Sequence, residues 1–226
     1  MHREPDPKDE YFDVLDEQGN PTGMVKRRAD VHRDGDWHRA FHCWVALEHS
    51  CGEPAILFQR RSGRKDTHPE QLDVAVGGHY RAGEGFDDVV REIEEELGFS
   101  PSNDSLIQVG YRRGEGFGPT WIDREIEDVY VHVLTQALES LQPAHEEISA
   151  LDLLLLADIE DLFLNRRNQV PTVRYRVQPD STLSAGFKAT VTRDDFIPVP
   201  DQYWLFGSRA ASDVLSGRRD VQLDLW

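Results

Sequence analysis

GGHYRAGEGFDDVVREIEEELGF, residues 77–99, joins a glycine-rich loop to a run of carboxylates that a further glycine closes. Val89, Val90, Ile93 and Leu97 recur at helical spacing, which predicts a helix over Asp87–Leu97 with Gly98 as its stop. On that helix Glu92, Glu95 and Glu96 stand at i, i+3 and i+4, so these carboxylates share one side. Like charges so close repel. The arrangement is costly unless a divalent cation lies among them, and hard oxygen donors suit Mg²⁺ or Mn²⁺. A bare acidic run is more often a solvated face. What sets this one apart is the glycine loop before it, Glu84 inside that loop, and Arg91 one residue ahead of Glu92.

At 226 residues the chain can bury a substantial core, as one domain with additions or one domain and a small lobe. Its formal charge of −17 argues against a nucleic-acid partner, because phosphate contacts need basic stripes. A negatively charged substrate would then depend on bound metal and a local basic patch. No run approaches the roughly 18 apolar residues of a membrane span, and MHREPDPKDE lacks the apolar core of a signal peptide. The expectation is a cytoplasmic protein with no membrane partner. Cys43 and Cys51 are too few for a disulfide framework, and Cys43, inside an apolar strand, reads as packing.

Outward from the helix, residues 1–10 are Pro-rich and charged and read as a mobile tail. YFDVLDEQGNPTGMVKRR from Tyr11 reads as a β-hairpin, a candidate homodimer contact. Strands are expected at Ala40–Leu47, Ala55–Arg60, Leu72–Val76, Leu106–Arg113, Arg124–Thr135 and Ala144–Leu156. GEGFGPT reads as a loop and Ala157–Arg167 as a short helix, whereas the pattern weakens beyond Asn168. His32 and His38 flank RDGDW and could converge on one ion as neutral imidazoles; His42 sits within a strand and reads as an ordinary core or surface residue. Arg60, Arg61, Arg64 and Lys65 form the dense basic patch of the first half, either a solvated loop or a phosphate-facing one. Trp37, Phe117, Trp121, Tyr203 and Trp204 could stack a base, but packing is the default for each.

Gly78, Glu84, Arg91, Glu92, Ile93, Glu95, Glu96, Gly98 and Phe99 fill, in order, the fixed positions of the Nudix box, so the chain resembles the Nudix hydrolase family. One departure is that six residues, Gly85–Val90, separate Glu84 from Arg91 where the family has seven. This puts the placing of Glu84 in question. The resemblance implies an α/β (α+β) fold, the Nudix-type α/β/α sandwich with a mixed β-sheet. Here that would be a hydrolase domain over 11–165 including the hairpin, and a C-terminal extension over 166–226.

Over Tyr11–Asp161, with an echo at Asp194–Trp204, the chain is similar to the branch that holds isopentenyl diphosphate isomerase and its hydrolase relatives. The metal slots of those isomerases resemble His32, His38, His79 and the pair Asp123 and Glu125, although the first spacing is one residue short and Asp123 replaces a glutamate. The isomerases also use a cysteine where this chain has Gly77. A chain without that proton donor that keeps the helix acids points to hydrolysis.

The implied activity is metal-dependent cleavage of the phosphoanhydride of a small-molecule (nucleoside) diphosphate joined to another group. Mg²⁺, or Mn²⁺, would be held by Glu92, Glu95 and Glu96, with Arg91 orienting the acids and Arg60, Arg61 and Lys65 binding the diphosphate. The general base is expected at Glu125, Glu146 or Glu147. The rival readings are an isomerase of allylic diphosphates and a binding module that keeps the fold without turnover.

Overall fold

A computed structural model describes residues 10–65 and 67–225, without the side chains of 223–225. The expected tail, apart from Glu10, lies outside the described residues. In chain order the elements are β1 (Tyr11–Leu15), β2 (Pro21–Arg27), α1 (Arg28–Asp34), β3 (Trp37–Glu48), β4 (Pro54–Arg61), β5 (Leu72–Val74), β6 (Val76–His79) and α2 (Phe86–Leu97). After these come β7 (Leu106–Phe117), β8 (Ile122–Val133), β9 (Ile148–Leu155), α3 (Leu156–Phe163), β10 (Val170–Arg176), β11 (Phe187–Val191), α4 (Asp201–Leu215) and β12 (Leu223–Leu225).

The strands join in one mixed sheet, in the order β11-β10-β9-β4-β3-β8-β7-β12, with β3–β8 and β7–β12 parallel. β3 organises it. Its first half pairs with β6 and its second half with β4, so β6 ends as a short strand at an open corner. Because side chains alternate along a strand, β3 feeds two cores. Trp44 and Ala46 meet Ile56, Phe58, Val129 and Val131 under α3 and α4, whereas Phe41, Cys43 and Val45 lie on the opposite face under Val89, Ile93 and Leu97 of α2. Helices therefore cover both faces, and the fold is the expected α/β/α sandwich. α4 crosses directly over the Trp44 indole, where a Cβ on Gly207 would stand 2.1 Å from the ring.

The hairpin, β3, β4 and the acidic helix form close to where the sequence puts them. GEGFGPT differs. β7 runs through Gly114 and Gly116 to Phe117, paired in register with β8. A Cβ on Gly114 would lie 2.5 Å from Glu127 Oε1, so the glycine here makes room for a buried carboxylate rather than a turn. Residues beyond 165 continue the same sheet through β10 and β11, and α4 closes one core. Among the described residues no helix is long and apolar enough to cross a membrane.

Candidate functional site

α2 begins after Gly85, whose N–H donates back to Asp88 (2.9 Å), and ends at Gly98, whose N–H reaches Glu94 O (2.9 Å). Gly98 has φ 75°, and a Cβ there would strike Gln142, so glycine is required twice over. The helix thus stops where the loop before β9 arrives. Gln142 N–H donates to Leu97 O and Ala144 N–H to Glu96 O, which latches residues 142–148 beside the acidic turn.

Glu92 and Glu96 turn inward one helical turn apart, whereas Glu95 is exposed and held by Arg91 at 2.9 Å. Burial above all pushes Glu96 up to about 8; Lys65 and Arg61 pull it down, while Glu147 and Glu92 push it further. Gln59 Nε2 reaches Glu96 Oε2 at 3.4 Å. Glu92 is likewise raised, chiefly by burial. Arg91 also reaches Glu84 at 3.1 Å and Glu92 at 2.9 Å, so the shortened loop leaves Glu84 tied to the helix.

Around this helix the sequence candidates divide. Lys65 pairs with Glu147 and Arg64 with the exposed Glu146. Arg61 is on the α2 face of β4, yet its guanidinium is used by Thr67 O (3.0 Å) and Asp73 (3.2 Å). Arg60 requires a correction. As the next residue on a strand it points to the other face, where it is buried against Asp195 (3.3 Å), Asp152 (3.5 Å) and Glu70 O (2.5 Å). It braces β4 to the C-terminal segment and does not face the acidic helix.

Glu125 also belongs elsewhere. The registers put His38 beside Glu125 and His79 beside Ala40, on the face opposite Phe41 and Gly78. Glu92 lies on the Gly78 side, 4.0 Å from where a Cβ of that glycine would be. Of the proposed bases, Glu147 is the one whose charge acts on Glu96.

On the opposite face His32 from the last turn of α1, His38 from β3, His79 from β6 and Asp123 from β8 offer donor atoms all within 4.8 Å of one another. α1 itself was not legible, since only Val31 of its seven residues is buried and no apolar stripe marks it. Glu125 stands outside this group, with Oε1 2.8 Å from His79 Nε2 at an angle that makes no hydrogen bond. His32 Nε2, His38 Nε2, His79 Nε2 and Asp123 Oδ1 are all buried without hydrogen-bond partners. Burial lowers His32 to about 4 and His38 to about 3, and holds His79 well below its ordinary value. It raises Asp123 to about 6, and Glu125 well above the carboxylate range with further help from Asp123. Neutral imidazoles with inward lone pairs are what a cation requires. Phe12 of β1, fully buried, stacks on His38 and His79 with ring centres 5.1 and 5.0 Å away.

Deeper on that face lies a polar group the sequence did not reveal. Glu127 takes Arg112 at 2.5 Å and stands 3.2 Å from His42 Nδ1, which is 2.6 Å from the Tyr203 hydroxyl of α4. A Cβ on Gly77 would lie 3.2 Å from His42 Cδ2. Tyr203 and Trp204 are core residues, as the packing default has it.

A box helix with a buried carboxylate, Glu96, one turn from the half-buried Glu92 in an α/β/α sandwich fits a hydrolase acting on acid anhydrides. Residues 36–175 match the NUDIX domain model, and the chain belongs to the Nudix family as a pyrophosphohydrolase. It is 31% identical over 206 residues to an uncharacterized Nudix hydrolase of Clostridium acetobutylicum, covering 91% of this chain and 98% of that one. An isopentenyl-diphosphate Delta-isomerase of Citrobacter koseri is 31% identical over 131 residues, 58% of this chain and 70% of its own. A crystal structure from Deinococcus radiodurans, 23% identical, superposes with a TM-score of 0.48 over 70% of this chain and 88% of that one.

Proposed function

We propose that the chain is a divalent-cation-dependent hydrolase that cleaves the phosphoanhydride of a nucleoside or other small-molecule diphosphate joined to a second group. The observation that carries this reading is Glu96, a carboxylate held inside the protein one turn from Glu92 and within electrostatic reach of Glu147. Folding gathers these acids against their repulsion, and a divalent cation offsets that cost.

Glu92 and Glu96 are the inward donors for Mg²⁺ or Mn²⁺, with Glu95 adding charge from the helix surface. When bound, the cation supplies charge for the diphosphate oxygens and acidifies water. Glu147 takes the proton from the attacking water. Lys65, its partner in the free chain, binds the diphosphate, while Arg61 shapes the loop that carries Lys65. Arg91 holds Glu84, Glu92 and Glu95 in register. The histidine cluster, with imidazole nitrogens and one carboxylate, fits a borderline metal such as Zn²⁺ better than Mg²⁺.

The test is release of phosphate or pyrophosphate from a panel of diphosphate compounds with Mg²⁺, comparing the parent chain with Glu95→Gln and Glu96→Gln. Turnover that Glu96→Gln abolishes, at a melting temperature no lower than the parent's, is the expected result. No turnover of any compound, or conversion of isopentenyl diphosphate to its isomer, would sink the reading. Gly77, which carries no proton donor, disfavours the isomer arm; a Cβ there would stand 3.2 Å from the His42 ring.

A further inference from the structure

We infer that Arg64 is a second phosphate-binding cation of the α2 site, and that Glu146 holds its place in the free chain as a carboxylate stand-in that a diphosphate displaces. This rests on the hydrolase reading of that site and deepens it: each phosphate of the anhydride meets its own cation, Lys65 or Arg64.

The charges are matched two by two. Arg64 and Lys65, consecutive in the loop after β4, pair with Glu146 and Glu147, consecutive in the loop before β9. The chain carries 25 basic against 42 acidic side chains, so adjacent cations beside an acidic helix are a local exception. Lys65 and Glu147 both act on Glu96, which sets the double pair next to the carboxylates of α2. The neighbouring arginines are committed elsewhere. Arg61 bonds Thr67 O and Asp73, and Arg60 faces the other side of the sheet.

Backbone bonds, rather than these charges, join the two loops. Buried Ser62 donates its N–H to Glu147 O (2.8 Å), Lys65 N–H donates to Ser62 O (3.1 Å), and Arg64 N–H to Ser62 Oγ (3.3 Å). Glu147 N–H closes its own turn on Ala144 O (2.9 Å). Glu146 can therefore give up Arg64 while both loops stay in register.

The Arg64–Glu146 pair is also the weaker of the two. Both of its side chains are 66% exposed, against 26% for Lys65 and 41% for Glu147. An exposed ion pair is worth at most about fivefold in an equilibrium, and a guanidinium meets phosphate oxygens through two parallel bonds. A phosphate carried by a substrate already anchored at Lys65 therefore outcompetes a single carboxylate for Arg64. Cleavage of the anhydride separates the two phosphates. Glu146 and Glu147 then compete with each one singly, which favours release.

The experiment is calorimetric titration of the full chain, at constant Mg²⁺, with methylenediphosphonate, whose P–C–P bridge resists hydrolysis, and separately with inorganic phosphate. Arg64→Ala should weaken methylenediphosphonate binding about tenfold and inorganic phosphate binding less than about twofold. Glu146→Gln should tighten methylenediphosphonate binding about fivefold, by removing the competing pair. Glu160→Gln, the same charge change on α3 across the sheet, should shift it less than about twofold. In the Arg64→Ala background the gain from Glu146→Gln should vanish, because a stand-in acts only through the cation it covers. No binding of methylenediphosphonate to any of the chains, no gain in Glu146→Gln, a gain that survives Arg64→Ala, or equal losses of both probes in Arg64→Ala would each overturn the inference. If the parent hydrolyses no diphosphate compound, the hydrolase reading fails while the titration cycle still decides the stand-in.

Discussion

The two faces at the β6 corner hold acidic groups in opposite ways. On the α2 face Glu95 is exposed, Glu92 pairs with Arg91 of the same helix, and the charges of Lys65, Arg61 and Glu147 all act on Glu96. On the histidine face the donor atoms are cut off from solvent and bonded to nothing, under a phenyl ring. Both arrangements bring repelling or unsatisfied groups together. Only the first leaves an acid, Glu95, open to solvent. Accessible, counter-charged acids suit a site that exchanges substrates, whereas orphaned atoms packed against one another suit a resident ion that never leaves.

The comparison breaks most sharply on turnover. Glu147→Gln should lower kcat about 100- to 10,000-fold with the fold intact, as loss of a general base does, while His79→Ala with saturating Mg²⁺ should change kcat less than about tenfold. Equal losses in steady-state assays would merge the two faces into one catalytic centre. Next in size is Phe12→Ala, which removes a fully buried ring and should cost about 3–5 kcal/mol in urea denaturation, leaving KM unmoved.

The third prediction concerns pH. With metal removed, Glu96 stays protonated in the folded chain up to about 8 but ionises near 4.5 when unfolded. A raised carboxylate contributes stability that is complete below 4.5 and is lost as pH climbs to about 8. The loss is at most about 1.4 kcal/mol per pH unit. Melting temperature of chelated protein should therefore fall across that window, and Glu96→Gln should flatten the slope. A slope that survives the substitution assigns it to other groups.

The smallest effects separate two cations that are close in sequence. Arg60→Ala should cost about 1.5–3 kcal/mol of stability, through the carboxylates it bonds, and leave KM unchanged. Lys65→Ala should raise KM about tenfold, on the order of 1.4 kcal/mol, with stability unchanged. The reverse pattern would return Arg60 to the substrate side.

Much of this was readable locally. The α2 stripe, the stop at Gly98, the carboxylate spacing and the turn of the hairpin are each set by residues within a few positions of one another. The histidines could be nominated too, because His32 and His38 bracket a short loop. Elsewhere short-range signals misled or fell silent. Gly114 and Gly116 look like turn residues, yet they are strand residues made small by Glu127 and Trp121 packed beside them. α4 carries no strong stripe of its own because Trp44, more than 150 positions earlier, determines which of its residues are buried.

Local spacing therefore predicted the acidic helix, and the resemblance carried by the box implied the family and the class of reaction, since helical periodicity and the box are properties of neighbouring residues. Which acids share a face was settled by strand register. Arg60 and Arg61, or Gly78 and His79, differ by one position and end on opposite sides of the sheet, and only the pairing of β3 with β4, β6 and β8 fixes which side that is. The choice of Glu147 over Glu125 beside Glu96, the entry of Asp123 among the histidines, and the ring of Phe12 above them all depend on contacts between distant segments, which local spacing does not encode.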